Sequence, residues 1–120
     1  MDKYKDRAIV GFVEIVIVSG NNNKKKKLKA RIDTGAEKSS IDARLAAELN
    51  LGPILKRKLI TSAHGHTIRP VMEARLQLAK QDIKSEFTIA DRSHMKYKIL
   101  VGQNKLKKGF LIDPMRKRKK

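Results

Sequence analysis

Residues 30–36 read Ala30-Arg31-Ile32-Asp33-Thr34-Gly35-Ala36, and the reading of this stretch decides the rest. Ile32 is the last apolar, β-branched residue before the acid, and Gly35 supplies a turn that other residues resist. An acid delivered by a strand into a glycine turn is held in a fixed place. Upstream, Leu28, Ala30 and Ile32 alternate with Lys29 and Arg31, the period of a half-buried strand. Lys24 to Lys27 precede it as a loop or as the exposed start of that strand. Gly20-Asn21-Asn22-Asn23 is a turn signal. Residues 8–19 are largely apolar and β-branched and read as a strand with a break at Gly11. These pieces predict a hairpin that ends at Asp33.

Downstream, Ser39-Ser40-Ile41 reads as extended. Asp42 is placed to cap a helix over Ala43 to Leu49, with Gly52 and Pro53 as its stop. Ile54 to Ser62 and Thr67 to Leu78 read as strands on either side of a loop or hairpin tip at Ala63-His64-Gly65-His66. Pro70 argues for an edge or a bulge in the second of them. Gln81-Asp82 reads as a turn, Ile83 to Ala90 as a strand and residues 91–94 as a loop. Ile99-Leu100-Val101 reads as a short buried strand closing on Gly102, followed by one or two helical turns over Gln103 to Lys108. Phe110-Leu111-Ile112 is a last strand, stopped by Asp113-Pro114. The expected fold is mostly β, a small closed or partly open β-barrel with one clear helix.

A chain of 120 residues implies one domain. We place it at residues 8–114, between a basic lead (1–7) and a basic tail (115–120). Only 4% of residues are aromatic, so the core is built from Ile, Leu, Val and Ala. The absence of cysteine excludes disulfides, thiolate metal sites and a cysteine nucleophile. The most apolar run, Ala8 to Val18, is too short to span a membrane, and the first residues lack a signal-peptide layout. We expect a cytoplasmic protein. The net charge of +17 exceeds what solubility needs and points to a polyanionic partner such as RNA.

An isolated Asp-Thr-Gly is a weak motif, but its company is specific. Ile32 to Ala36, together with Ile99-Leu100-Val101-Gly102-Gln103-Asn104-Lys105-Leu106, resembles the retropepsin family of single-domain aspartic proteases. A cellular branch often labelled "ATP-dependent zinc protease" is similar over Ala30 to Ser40, Gly65 to Val71, Ala90-Asp91-Arg92, Met95-Lys96-Tyr97 and Ile99 to Pro114. The resemblance covers roughly residues 8–114.

It implies a β-barrel half-site and a homodimer, in which two copies of Asp33 share one proton and activate water against a peptide substrate. It also implies that Thr34 bonds across the dimer, that Gly35 lines the floor, and that His64, Gly65 and His66 occupy a substrate-covering flap. Gln103 departs from the arginine usual in the cellular branch. His64 and His66, two residues apart, offer at most two metal ligands with no third nearby in sequence, and His94 stands alone, so we assign no metal and no cofactor.

Two functions follow. One is an aspartic endopeptidase using Asp33, Thr34 and Gly35. The other is a basic binding module for ribosomal or other RNA. Its phosphate contacts would come from Lys24, Lys25, Lys26 and Lys27, from Lys56, Arg57 and Lys58, and from Arg116, Lys117, Arg118, Lys119 and Lys120.

Overall fold

The computed structural model describes residues 3–63 and 65–117. His64, Arg118, Lys119 and Lys120 therefore lie outside the described residues. Strands β1 (Lys3–Tyr4), β2 (Arg7–Val10), β3 (Val13–Ser19), β4 (Lys25–Ile32) and β5 (Ser39–Asp42) precede helix α1 (Ala43–Glu48). Strands β6 (Lys56–Ser62), β7 (Gly65–Leu78), β8 (Gln81–Ala90) and β9 (Ile99–Val101) come next, then helix α2 (Gln103–Leu106) and β10 (Phe110–Ile112).

The main sheet runs β3-β4-β9-β5-β8-β7-β6, and an added pairing of β3 with β7 closes it into a ring of strands with β6 outside. Alternation on β3 and β4 explains the ring: Val16, Val18, Ala30 and Ile32 turn inward and are buried, as are Leu76 and Leu78 on β7. A second, smaller sheet joins the two ends of the chain, with β10 parallel to β2 and β1 antiparallel to it. The expected β-rich fold is the one observed, and residues 3–7 take part in it through β1 and the start of β2.

The break at Gly11 has a physical cause. The buried carboxylate of Glu14 accepts a hydrogen bond from the Gly11 N–H at 2.8 Å, and Arg116 Nε approaches that carboxylate to 3.7 Å. A Cβ on Gly11 would meet the Arg116 carbonyl oxygen at 2.6 Å, so only glycine lets the C-terminal segment lie here.

Several expected boundaries move. The Gln81-Asp82 turn is instead Ala79-Lys80, because Leu78 pairs with Gln81 and Ala79 takes a φ of 57°. The helix stop expected at Gly52 falls earlier, at Asn50 (φ 55°). There the Asn50 N–H donates to Ala47 and the Leu51 N–H to Ala46, which satisfies the last helical carbonyls. The strand expected from Ile54 begins at Lys56. Asp42 does cap α1, its carboxylate accepting from the Arg44 N–H at 3.2 Å.

One core residue is unexpected. Lys105 on α2 is fully buried, and its Nζ donates to the Leu76 carbonyl at 3.1 Å. Burial, aided by the nearby charge of Lys108, pushes its ammonium down to about 8 from 10.5. Because the folded value lies below the unfolded one, the unfolded chain binds more protons between these values. Stability therefore rises as pH climbs through that window. Lys105→Met should stabilise the fold at pH 7 by on the order of 1–3 kcal/mol in urea unfolding. That advantage should shrink once the pH reaches the ordinary lysine value of 10.5; a variant weaker than the parent at both pH values would contradict this account.

Candidate active site

Asp33 comes directly after β4. Its N–H donates to the Val101 carbonyl of β9 at 2.9 Å, which extends the parallel pairing of Arg31 with Leu100 and Ile32 with Val101. Its carboxylate oxygen Oδ1 accepts from the Gly35 N–H at 2.8 Å. The side chain is half-buried, while Thr34 and Gly35 are exposed. One carboxylate oxygen is thus tied into the turn, which fixes the direction in which the acid faces.

The segment after β9 holds the turn from the side. Gln103 N–H donates to the Ala36 carbonyl at 2.8 Å and Asn104 N–H to the Glu37 carbonyl at 3.0 Å. The Gln103 side chain donates to the Thr34 carbonyl at 2.8 Å, so the residue that departs from the expected arginine still grips the turn. Gly102 lies so close beneath that an added Cβ would collide with the Lys38 carbonyl oxygen and approach that of Ala36 to 2.8 Å. Here glycine is required for close approach and not for its φ.

Asn104 ties the elements together. Its Oδ1 accepts from the Ser39 N–H at 2.9 Å and from the Ser39 hydroxyl at 2.8 Å, and its Nδ2 donates to the Glu86 carbonyl at 2.9 Å. Ser39 Oγ in turn accepts from the Gly102 N–H at 3.0 Å. One amide therefore joins α2, β5 and β8.

Arg92, in the Ala90-Asp91-Arg92 segment of the resemblance, is tied to the N-cap of α1. Its N–H donates to Asp42 Oδ1 at 2.7 Å and its Nε to the Tyr97 carbonyl at 3.0 Å. Burial lowers its pKa, the charge of Asp42 opposes this, Arg69 adds to the lowering, and Asp33 opposes it. The loop that carries it is stitched by Lys98 Nζ, which donates to the carbonyls of Arg92, Ser93 and Met95 at 3.1, 2.7 and 3.3 Å. A lysine immediately before a buried strand, after a short polar loop, is a faint sequence signal for such a clamp.

Strands β6 and β7 form a long hairpin, with Ser62 opposite Gly65 and Thr61 opposite His66. Of the predicted flap residues, Gly65 takes a φ of 112°, and His66 Nδ1 lies 3.0 Å from Thr61 Oγ1. Pro70 lies just before Val71, where pairing with β8 begins, so its missing N–H costs no bond on that side. Leu59 and Ile68 face each other across the hairpin and are 58% and 66% exposed. Among the described residues no group of three or more His, Cys, Asp or Glu is placed to hold a metal ion.

Among the described residues, the predicted phosphate-binding positions fall on separate elements: Lys25 to Lys27 on β4, Lys56 to Lys58 on β6, and Arg116 and Lys117 after β10. Lys26 pairs with Glu48 at 3.6 Å and Lys56 with Glu86 at 3.2 Å, while Lys25 and Lys27 face outward from β4. Arg116 is engaged with Glu14. Lys24, Arg57 and Lys117 are exposed and Lys58 is half-buried.

Removing the amide that joins three elements should be costly: Asn104→Ala should lower stability by about 2–4 kcal/mol. The shift would appear as a lower urea midpoint with an unchanged slope. A shift within about 0.5 kcal/mol would show that the amide does not hold the turn.

Known proteins bear on this geometry. In a structural comparison the chain matches Lpg0085, a Legionella pneumophila protein of unknown function, at a TM-score of 0.63 and 22% identity, covering 91% of this chain and 94% of that one. It matches EIAV protease, solved with the inhibitor HBY-793, at a TM-score of 0.62 and 18% identity over 89% and 91% of the two chains. Simian foamy virus protease gives 0.55 and 17% identity over 78% and 92%. At these identities the likeness is one of fold. No curated protein sequence matches the chain. Among the described residues no helix is long and apolar enough to cross a membrane. The family model for the RimB-like group, described as retropepsin-like aspartic endopeptidase RimB, matches residues 46–120 and so begins downstream of Asp33. With most of its length matched by that model and its ring of strands shared with viral proteases, the chain belongs to the RimB-like family of retropepsin-like aspartic endopeptidases.

Proposed function

We propose that the protein is an aspartic endopeptidase whose complete site forms between two copies of the chain. The observation that carries the reading is the fixed carboxylate of Asp33, tied to the Gly35 N–H and anchored through its own N–H on β9. One such acid per chain is half of the required pair. Two carboxylates about 3 Å apart cannot both ionise, so the pair holds one proton between them. The ionised member removes a proton from water, whose oxygen attacks the carbonyl carbon of the scissile peptide. The protonated member donates to the carbonyl oxygen. Collapse of the tetrahedral intermediate then breaks the C–N bond, and the amine leaves with a proton returned through the pair.

Other surface features support the half-site reading. Thr34 and Gly35 are exposed beside the acid, where a second turn would meet them. The β6–β7 hairpin carries the uncovered apolar pair Leu59 and Ile68, which a peptide substrate or a second copy would cover. In this reading the hairpin tip at Gly65 and His66 closes over substrate and excludes water.

Asp33→Asn should leave the thermal melt unchanged and reduce cleavage of a peptide library by at least about 10³-fold. Mixing parent and Asp33→Asn chains, with time to exchange, separates a shared site from a single-chain one. For a shared site at a fixed total concentration, activity falls as the square of the parent fraction, to about a quarter at equal parts. A linear fall would exclude the shared dyad, and full activity in Asp33→Asn would exclude the enzyme reading.

A further inference from the structure

We propose that the outer face of β4 is a docking surface for the phosphodiester backbone of a nucleic-acid duplex, contacted by Lys25, Lys27, Lys29 and Arg31. Strand alternation creates the row. Ala30 and Ile32 turn into the ring and are buried, while these four cations occupy the alternate positions and are exposed. Lys26 is not part of it, since it pairs with Glu48. Neighbours in the row stand about 7 Å apart, and the row spans about 20 Å.

The strands beside the row do not neutralise it. The residues opposite on β3 are Ser19, Ile17, Ile15 and Val13, which bring no carboxylate. One strand further lie Gln77 and Arg75, and Arg75 is paired with Asp82 at 3.3 Å. On its other edge β4 pairs with β9 only at Arg31 and Ile32, so the stretch from Lys25 to Lys29 borders no strand of the described residues there. Like charges closer than the Debye length of about 8 Å repel one another in the free protein. A regularly charged polyanion laid along the row reverses the sign of that energy. Lysines also protect a free strand edge from pairing, but that role requires no unbroken single-sign row.

The chemistry of the face selects backbone contact. Its nearby aromatic, Phe12, is 45% exposed and has the Arg31 guanidinium 5.6 Å from its ring centre, so it is a single ring and no platform for successive splayed bases. A duplex presents phosphates without requiring stacking, and its recognition here would be independent of sequence. The row lies outside the Asp33 turn, so the inference does not depend on peptidase activity.

The test uses the full chain and fluorescence anisotropy with RNA and DNA duplexes of about 20 base pairs between roughly 50 and 200 mM salt. Binding of either duplex is expected, with a log–log salt slope of about −3.6, roughly 0.9 for each of the four cations. The triple variant Lys25→Gln, Lys27→Gln, Lys29→Gln should weaken it at least tenfold at low salt and flatten the slope. A control triple with the same loss of charge elsewhere, Lys3→Gln, Lys80→Gln, Lys107→Gln, should change affinity less than twofold. Lys27→Gln alone should give a smaller loss in the same direction, which keeps the test valid if the triple misfolds. Failure to bind either duplex, equal losses in both triples, or tighter binding of a polyaspartate of matched charge would each overturn the proposal.

Discussion

The structure depends on β9 lying between β4 and β5. The chain leaves β4 at Asp33, turns, and enters β5 at Ser39, yet the two strands are separated by a segment that arrives much later in the sequence. Because β9 runs parallel to β4 and antiparallel to β5, the Val101 carbonyl meets the acid's N–H just where β4 ends. The backbone beyond it then passes alongside the turn. An acid on a free loop would sample many directions. This one is fixed on one side by its own turn and on the other by Gly102, Gln103 and Asn104.

Buried polar groups do much of this tying. The Ser39–Asn104 pair replaces an apolar contact with a directional one and satisfies a backbone N–H on each side. Such a network is rigid when complete, because every lost partner leaves a desolvated dipole behind. Glu14 acts similarly at the seam between the small sheet and the ring, where it meets the Gly11 N–H and Arg116. A core with few aromatics gains definition from these directional contacts, since aliphatic packing alone tolerates rearrangement. Lys105 is the costly member of this set, a buried ammonium that donates to the Leu76 carbonyl and is held where α2 meets β7.

Charge is distributed unevenly between outward-facing cations and engaged ones. Lys38 and Lys56 converge on Glu86, Arg75 meets Asp82, and Lys98 serves as the centre of a loop. Surface pairs of this kind contribute little to stability. The outward row on β4 faces no acid on the neighbouring β3 strand, and it is formed by alternation within one strand. A run of adjacent lysines therefore divides between two faces, and its outward half joins Lys29 and Arg31.

The amino-acid sequence by itself determined the local elements: the hairpin into Asp33, the Asp42-capped helix, the short Ile99–Val101 strand and the mostly β architecture. Each is written in alternation, capping or turn chemistry that acts over a few residues. Where local signals competed, the nearest glycine or polar pair misled. Asn50, in a left-handed conformation, took the helix stop expected at Gly52, and Ala79-Lys80 turned where Gln81-Asp82 was expected. Only the tertiary structure decided that β9 separates β4 from β5, that Asn104 reaches Ser39, that Arg92 reaches Asp42 and that Lys105 is buried. These contacts join residues far apart in the chain, and their partners are chosen by which strands pair. Strand pairing is set by the closure of the whole ring and by no short stretch within it.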